Sequence, residues 1–298
     1  MEKEFKVTIL GTGTPVPLID RMGCSILIET PQTILLLDCG RGTAQRIYQT
    51  DSGVQNIHNI FLTHLHYDHC IGIPDLWLTG WLNGRDIPVH VYGPPGTAEM
   101  IANIQAAYKV DVHIRRDLDE KLPVNGSLIT GHDIPNDYSQ EFGELKLETF
   151  PVDHSPVPHA RGYLITYQDK KVVVSGDTKF MPEMSNIAKH ADILIHEVSA
   201  PNAIRQRSHS IGRNKTHTEA VIDHHTSPDE AAKIFSAAMP RLAVYYHIVG
   251  GPGSEEEIMS TTRNNYAGKF ILPEDLTTLS IGDQIVVRDP SGKILMTI

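Results

Sequence analysis

Thr63-His64-Leu65-His66-Tyr67-Asp68-His69 is the densest group of metal-ligand side chains in this chain of 298 residues. It follows a short apolar run and places three imidazoles and one carboxylate within six consecutive residues. In an extended segment every second side chain points to the same side, so His64 and His66 would face together. Asp68 and His69 would follow in the turn that opens the next helix. These groups bind zinc and similar metals, so the stretch predicts a metal site rather than a polar loop that is merely rich in histidine.

Composition limits the kinds of protein that this chain can be. With 40% hydrophobic residues, 298 residues can bury a sizeable core. A formal net charge of −10 argues against a general nucleic-acid binder, although a local basic patch could override it. Cys24, Cys39 and Cys70 are too few and too scattered for a disulfide framework. The N-terminus has no secretory signal pattern, and no run is long enough to span a bilayer, so we expect a cytoplasmic protein without membrane contact.

Strand-like and helix-like segments alternate through both halves of the chain. We find no repeat of fixed period, no low-complexity linker and no break in composition, so residues 1–298 are expected to form a single domain with two packed sheets. Residues 109–143 are the least regular part and are interpreted as an insert that acts as a lid or as surface decoration. The segment Gly11–Pro15 lacks the full pattern of a nucleotide-binding loop and is expected to form a tight turn beside a pocket.

Several later strands each end in another potential ligand. These strand ends carry His154, Asp177, His196 with Glu197, and His247. Any one of them alone is more often an ordinary strand-end residue, but the strand ends of one sheet edge converge in space. Together with the first cluster they supply enough ligands for two metals with one bridging carboxylate. Two such metals can hold a bridging hydroxide and polarise a scissile group, which predicts hydrolysis without a covalent intermediate. Asp38, at an earlier strand end, would either form an Asx turn or support this site.

The same residues resemble the signature of the metallo-β-lactamase fold, and the resemblance extends over nearly the whole chain. Leu10–Pro15, Leu37–Gly40 and Tyr92–Pro94 look like the tRNase Z and arylsulfatase-like branch of that superfamily. The resemblance implies an α/β fold, namely an αββα four-layer sandwich with two mixed β-sheets flanked by helices. It also implies a homodimer and a cofactor of two zinc ions, with manganese or iron as alternatives.

The resemblance further implies a role for each ligand. One zinc would be held by His64, His66 and His154, and the other by Asp68, His69 and His247. Asp177 would bridge the two ions, and Asp68 would also take part in catalysis.

His225-Thr226-Ser227, which begins 22 residues before His247, resembles a His-Thr/Ser pair of the same branch. By this resemblance His225 would stabilise the transition state or protonate the leaving oxygen, and Glu197 would orient it. The alternatives are that His225 only caps a helix, or that the adjacent His224, which fits less well, takes its place. His196 would support the site from outside the ligand set.

Departures from the tRNase Z pattern lead to the expected substrate. Only residues 155–176 separate His154 from Asp177, where tRNase Z enzymes usually carry a long tRNA-binding arm. Ile248-Val249-Gly250 and Gly40-Arg41-Gly42 replace the branch's Ser-Arg-Tyr and Gly-Glu-Gly. Together with the negative charge, these differences predict a dizinc hydrolase that cleaves a small phosphodiester or aryl-sulfate-like ester, with nucleic acid an unlikely partner.

Three other functions stay open. One is a carboxyl-ester, lactone or β-lactam hydrolase on the same metals, and the second is a tRNase Z-type endoribonuclease. The third is a metal-bound protein without catalysis, which the complete ligand set does not favour.

The segment Ala203–Lys215 is the most basic part of the chain. It contains Arg205, Arg207, Arg213 and Lys215, with His209 among them. Guanidinium groups bind phosphate or sulfate oxygens bidentately, so Arg205 and Arg207 are predicted to contact the substrate. The alternative is a solvated loop whose arginines make surface ion pairs.

Overall fold

Two β-sheets packed face to face form the centre of the computed structural model, which describes residues 5–298. Residues 1–4, and with them most of the N-terminal charge pattern, lie outside the described residues. The strands are Phe5–Gly11 (β1), Ser25–Glu29 (β2), Ile34–Leu37 (β3), Asn59–Phe61 (β4), Val89–Gly93 (β5), Ile129–Asp133 (β6), Ser139–Phe142 (β7), Leu145–Pro151 (β8), Arg161–Tyr167 (β9), Lys170–Val174 (β10), Ile193–Ser199 (β11), Leu242–Val249 (β12), Phe270–Ile271 (β13), Thr277–Ile281 (β14), Ile285–Arg288 (β15) and Ile294–Thr297 (β16).

Helices cover the outer face of each sheet. They are Thr43–Tyr48 (α1), Ile73–Leu82 (α2), Thr97–Ala107 (α3), Lys109–His113 (α4), Met184–Ile187 (α5), Pro201–Ser210 (α6), Lys215–Asp223 (α7), Pro228–Ala238 (α8) and Ser254–Asn265 (α9). Within residues 5–298, no helix is both long and apolar enough to cross a membrane.

Both sheets are mixed. The first has the order β16-β15-β14-β1-β2-β3-β4-β5-β6, and the second has the order β13-β12-β11-β10-β9-β8-β7. The strands from β3 to β6 and from β10 to β13 run parallel, whereas the others in each sheet are antiparallel. Parallel neighbours need crossover connections, which the helices supply. The predicted αββα sandwich is therefore confirmed.

Alternating side chains divide the apolar residues among three layers. In β1, Val7 and Ile9 face the core between the sheets, whereas Leu10 packs under the helices α1 and α2. In β12, Val244 and Tyr246 face the same central core, and Tyr245 packs against α8. Strands buried on both faces need apolar residues at nearly every position, which explains continuous runs such as Ile34–Leu37.

The region interpreted as an insert, residues 109–143, is built into both sheets. Its strand β6 extends the first sheet beside β5, and β7 extends the second sheet beside β8. Both strands lie at a sheet edge, where one side faces water and polar residues replace an apolar run. The weak periodicity of the region therefore reflects edge strands, not a lack of regular structure.

Two helices occupy the segment for which the sequence analysis left a solvated loop as the alternative. Pro201 lies in the first turn of α6, and the Asn214 side chain accepts a hydrogen bond from the N–H of Thr216 at the start of α7. Proline in a first turn and asparagine as a cap are common signals of helix starts. The α6–α7 pair stands beside the strand ends that carry the predicted ligands.

Candidate active site

The residues predicted for the first metal meet where β4, β8 and β10 end. His64 and His66 follow β4, whereas His154 and Asp177 follow β8 and β10. Their ligand atoms all lie within 4.8 Å of one another. His66 Nδ1 is 2.9 Å from His64 Nε2 and 3.4 Å from His154 Nε2. His64 and His66 therefore do face together, as the alternation of an extended segment predicts.

The residues predicted for the second metal form an adjoining group. Asp68 Oδ2 is 3.7 Å from His69 Nε2 and 3.4 Å from His247 Nε2. Asp177 Oδ2 is 3.2 Å and 3.3 Å from the same two nitrogens. It is also 3.8 Å from His64 Nε2 in the first group. Asp177 therefore lies between the two groups, where a bridging ligand would have to be.

An irregularity in β12 directs His247 towards this site. Tyr246 pairs with Glu197 of β11, but the next pair is Ile248 with Val198, so His247 is an extra residue in the strand. Its φ of 42° lies in the left-handed region, which costs energy for a residue other than glycine. Bulges of this kind turn a side chain out of the regular alternation of the strand.

Three carboxylates surround His69. Asp38 Oδ2 lies 2.8 Å from its Nδ1, and Asp38 Oδ1 accepts the N–H of Thr63 at 2.8 Å. Burial opposes a charge on this imidazole, yet Asp177, Asp38 and Asp68 hold the pKa of His69 well above its usual value. The same negative field would favour a metal cation beside it. Asp38 thus orients His69, a predicted ligand, which favours the interpretation that Asp38 supports the site.

Two other predicted ligands are neutral, the form of imidazole that binds metals. Burial lowers the pKa of His154 to about 4, and burial also lowers the pKa of His64 well below its usual value. His154 Nδ1 lies 3.0 Å from the carbonyl oxygen of His224, to which it donates as the neutral ring. That hydrogen bond leaves Nε2 free to bind a metal.

The donor atoms fit divalent metal ions. Within the described residues, the buried atoms His69 Nε2 and Asp177 Oδ1 make no hydrogen bond. A buried polar atom without a partner costs about 1–3 kcal/mol, and metal ions between the groups would supply the missing partners. Imidazole nitrogens with carboxylate oxygens are a donor set for zinc and related divalent metals.

A buried carboxylate holds the predicted catalytic histidine. Glu197 Oε2 is 3.1 Å from His225 Nδ1, and Glu197 Oε1 accepts the N–H of Thr226 at 2.7 Å. His225 has a ring atom within 4.8 Å of ligand atoms of Asp177 and His247. Burial opposes protonation, but Glu197 raises the pKa of His225 above its usual value. The structure therefore brings Glu197, His225 and the metal ligands together.

The other histidines near this pair have different positions. His196 points to the opposite face of β11 from Glu197, because neighbouring side chains of a strand alternate. Its ring lies 6.1 Å from that of Phe235, and its Nδ1 lies 2.7 Å from the carbonyl oxygen of Glu197. Support of the site by His196 stays a prediction. His224 contributes its backbone carbonyl to His154. Ser227 and Glu230 form the capping box at the start of α8, so His225 is not the helix cap.

A cavity of about 490 Å³ opens above the two ligand groups. Loops of the first sheet contribute Pro15, Val16, Pro17 and Tyr67, and the α6–α7 pair contributes Arg207, Arg213 and His217. No described residue of the region 109–143 lines it. The expected turn Gly11–Pro15 does border the cavity, through Thr14 and Pro15. A larger cavity of about 710 Å³ lies at the other end of the strands around Glu29 and Asn59, away from every predicted ligand.

The two arginines predicted to contact the substrate face different ways. Arg207 lines the cavity, and its buried Nη1 has no hydrogen-bond partner among the described atoms. Arg205 does not line it and forms an exposed ion pair with Glu219, with 2.8 Å between Nη2 and Oε2. Two residues along a helix differ in direction by about 200°, which explains the difference. Arg205 lines an adjoining cavity of about 460 Å³ together with His225, and its contact with a substrate stays a prediction.

His217 and Tyr67 are cavity residues that the sequence did not suggest as substrate contacts. His217 and Val221 lie one helical turn apart on α7 and both line the cavity. Recognition of Asn214 as a helix cap would have placed these two side chains on one face. Tyr67 belongs to the metal motif, but nothing in the sequence indicated that its side chain would line a cavity.

The family is decided by a match over most of the chain. A family model described as β-lactamase superfamily domain matches residues 33–248. This chain belongs to that superfamily. A protein of Mycolicibacterium paratuberculosis named ribonuclease Z is 30% identical over 284 residues, which cover 93% of this chain and 98% of that protein. A ribonuclease Z of Mycobacterium bovis is 29% identical, with the same coverage of each chain.

Solved structures of superfamily members have the same fold. The metallo-β-lactamase fold protein YhfI of Bacillus subtilis has a TM-score of 0.70 at 17% identity, covering 92% of this chain and 98% of its own. The short form of human tRNase Z has a TM-score of 0.67 at 21% identity, covering 93% and 99%. The superfamily assignment makes the chain a metal-dependent hydrolase that acts on ester bonds.

The comparisons correct the expected substrate. The prediction of a small ester, with nucleic acid an unlikely partner, is wrong, because relatives that cover nearly the whole chain are named ribonuclease Z. That prediction relied on the net charge and on the short segment 155–176. Net charge is a sum over the whole molecule, whereas a substrate responds to the charges around the site. The homodimer stays a prediction.

Proposed function

We propose that this superfamily member is a ribonuclease that hydrolyses a phosphodiester bond of tRNA-like RNA. The observation that carries the proposal is the position of Asp177 Oδ2. It lies 3.2 Å and 3.3 Å from the ring nitrogens of His69 and His247, and 3.8 Å from that of His64. The relatives named ribonuclease Z support the choice of RNA.

We assign two zinc ions to the two ligand groups. His64, His66 and His154 would hold one ion, and Asp68, His69 and His247 the other, with Asp177 shared. When bound, divalent metals activate an attacking water and neutralise the charge that develops on a phosphate.

His225 would give a proton to the leaving oxygen. Its Nδ1 is occupied by Glu197 at 3.1 Å, which leaves Nε2 as the nitrogen that can meet the substrate. A buried carboxylate stabilises the protonated imidazole and fixes the orientation of the ring. Glu197 is itself fixed by the N–H of Thr226 at 2.7 Å. Glu197 is therefore a positioning residue, and His225 is the catalytic residue.

Arg207 would bind a phosphate oxygen of the substrate. It lines the cavity and carries a buried Nη1 without a hydrogen-bond partner among the described atoms. A guanidinium group in this state lacks the ligand that would normally compensate for its burial.

An enzyme that processes RNA in this way would work in the cytoplasm, where the sequence predicts the chain to be.

The test is hydrolysis of a precursor tRNA that carries a 3′ extension. Zinc-loaded protein, with its metal content measured by mass spectrometry, should release the extension, and Asp177→Ala should not. If the metal-replete protein leaves the precursor intact, the ribonuclease proposal is wrong.

A further inference from the structure

Tyr67 is an exposed aromatic side chain at the centre of the site. Its side chain is 52% exposed and lines the cavity, between His66 and Asp68 in the chain. Within residues 5–298 its ring has no stacking partner and its hydroxyl has no hydrogen bond. Large aromatic rings are usually buried, so core packing does not explain this residue.

The backbone of Tyr67 is nevertheless fixed. Its carbonyl oxygen accepts the N–H of Ile71 at 2.8 Å and that of Cys70 at 3.2 Å. The residues on either side belong to the ligand groups, which limits its movement further. The ring therefore stands on a rigid base, which is what a stacking surface for a planar ligand requires.

The two sides of the cavity differ in chemistry. The first sheet supplies Tyr67 with the apolar residues Pro15–Pro17, whereas the α6–α7 pair supplies Arg207, Arg213 and His217. From Pro201 to Thr218 the chain has four basic residues and no acidic residue, in a protein with a net charge of −10. Among the described residues, the Arg213 side chain has no ion pair or hydrogen bond. The α6–α7 pair also contributes the apolar residues Ile204 and Val221. A lining that combines an exposed aromatic ring with guanidinium groups matches the bases and the phosphates of one nucleic-acid strand.

We propose that Tyr67 and Arg213 are the residues of this cavity that hold the unpaired RNA segment beside the cleaved bond. One base stacks on Tyr67, and Arg213 binds a backbone phosphate of the same segment. The inference rests on the proposed ribonuclease function and adds two residues of this chain that would bind its substrate. Bases in a duplex are already stacked on one another, so only an unpaired base can reach the ring. A cavity of about 490 Å³ has the size of a site for a small ligand, not for a double helix.

The inference is tested by binding, separately from cleavage. The probe is a fluorescein-labelled oligoadenylate of about ten nucleotides, a typical length for one single-strand site. Zinc-loaded protein is titrated while fluorescence anisotropy is recorded, and a denaturing gel confirms that the probe stays intact. Tyr67→Leu should weaken binding about tenfold, whereas Tyr67→Phe should keep it, because one stacked base contributes a factor of that order.

The basic side is tested through the salt dependence of the same binding. Arg213→Gln should reduce the slope of log K against log salt by about 0.7, the value for one lost phosphate contact on a single strand. Tyr67→Leu should leave that slope unchanged, since stacking releases no counterions.

Two matched variants serve as controls. Tyr48, which is 76% exposed on α1 and outside the cavity, controls for the loss of a surface tyrosine as Tyr48→Leu. Arg205→Gln removes an arginine that is paired with Glu219 outside the cavity. Both variants should bind the probe as the wild type does. The affinity for a duplex that contains the same strand should not change in any of the tyrosine variants.

Failure of this inference is distinguishable from failure of the ribonuclease proposal. Wild-type affinity for Tyr67→Leu, equal slopes for Arg213→Gln and Arg205→Gln, or no binding of the probe by the wild type would each overturn the inference, even if precursor tRNA is cut. If the probe binds as described but precursor tRNA stays intact, the roles of Tyr67 and Arg213 in binding a single strand stand, and the ribonuclease proposal fails.

Discussion

Glu197 Oε2 and His225 Nδ1 lie 3.1 Å apart, and the carboxylate is completely buried beneath the ring. Neither residue is close to the other in the chain, since one lies on β11 and the other precedes α8. The pair couples the proposed catalytic side chain of His225 to a buried strand of the second sheet. Glu197 also accepts the N–H of Thr226, so the position of α8 and the orientation of His225 depend on the same carboxylate.

His225→Ala should lower kcat by about 10²–10⁴, the usual contribution of a positioned acid or base. KM should stay near the wild-type value, because His225 would act on the leaving oxygen during the reaction. The metal content should also stay near the wild-type value, because His225 is not among the residues assigned to hold the metals. Single-turnover cleavage together with metal analysis measures both. An unchanged kcat would refute the acid role.

Glu197→Gln should lower kcat by a smaller factor with little change in KM, because the amide still fits the space but no longer carries a negative charge. The amide oxygen can also keep the hydrogen bond from the Thr226 N–H. In the double variant with His225→Ala, the second change should add almost nothing, since residues that act as a unit are not additive. Fully additive losses would mean that Glu197 acts on something other than His225.

Asp177→Ala should abolish metal binding and activity together. Its Oδ2 lies within 4 Å of ring nitrogens in both ligand groups, at 3.2 Å from His69 and 3.8 Å from His64. Removal of a shared carboxylate would weaken both metal positions at once. A protein that retains two metals per chain and full activity would show that Asp177 does not bridge.

Asp38→Asn should lower the metal affinity about 10–100-fold while the fold persists, because partners that orient a ligand contribute this much. The change weakens the 2.8 Å contact to His69 Nδ1. Competition with a chelator measures the affinity. Asp75→Asn is the matched control, since Asp75 is exposed on α2 and should leave the affinity unchanged.

Gly40→Ala should destabilise the protein by about 1–3 kcal/mol, the usual cost of an overpacked position. A Cβ at this position would lie 2.5 Å from the carbonyl oxygen of Asp68 and 2.6 Å from the carbonyl carbon of Gly23. At Gly282 the nearest atom would be 3.8 Å away, so Gly282→Ala is the control. Urea denaturation of both variants measures the difference. Equal midpoints would contradict the close packing of the metal motif against Gly40.

The grouping of the predicted ligands could be anticipated because most of them follow a strand in a distinct local pattern, whereas His247 lies within β12. His64 and Asp177 each follow an apolar run, and His154 follows a strand in which apolar and polar residues alternate. The fold brings the ends of these strands together. The order of strands and helices predicted two packed sheets, and the resemblance to a known family added the αββα arrangement. The resemblance to a known family then assigned His225 and Glu197, which spacing alone left open.

The substrate side could not be predicted in the same way. The separation of Arg207 from Arg205 depends on recognising α6, because only a helix turns these two residues to opposite sides. The exposure of Tyr67 depends on what packs nearby, which the motif does not encode. The net charge misled the prediction because it is a sum over the molecule and contains no information on position.

Because His247 is an extra residue in β12, the strand can direct this side chain to the site while its other residues pack in the two cores. Tyr246 before it faces the central core, and Ile248 after it faces the helices, as two consecutive residues of an uninterrupted strand would. Neither neighbour has to turn when the residue at position 247 changes, so the side chain there is constrained by the site and by its left-handed backbone, not by the packing of either core. A sheet built in this way can exchange one functional group for another during evolution without repacking. The bulge thus gives a buried strand the adaptability that is usually found in surface loops.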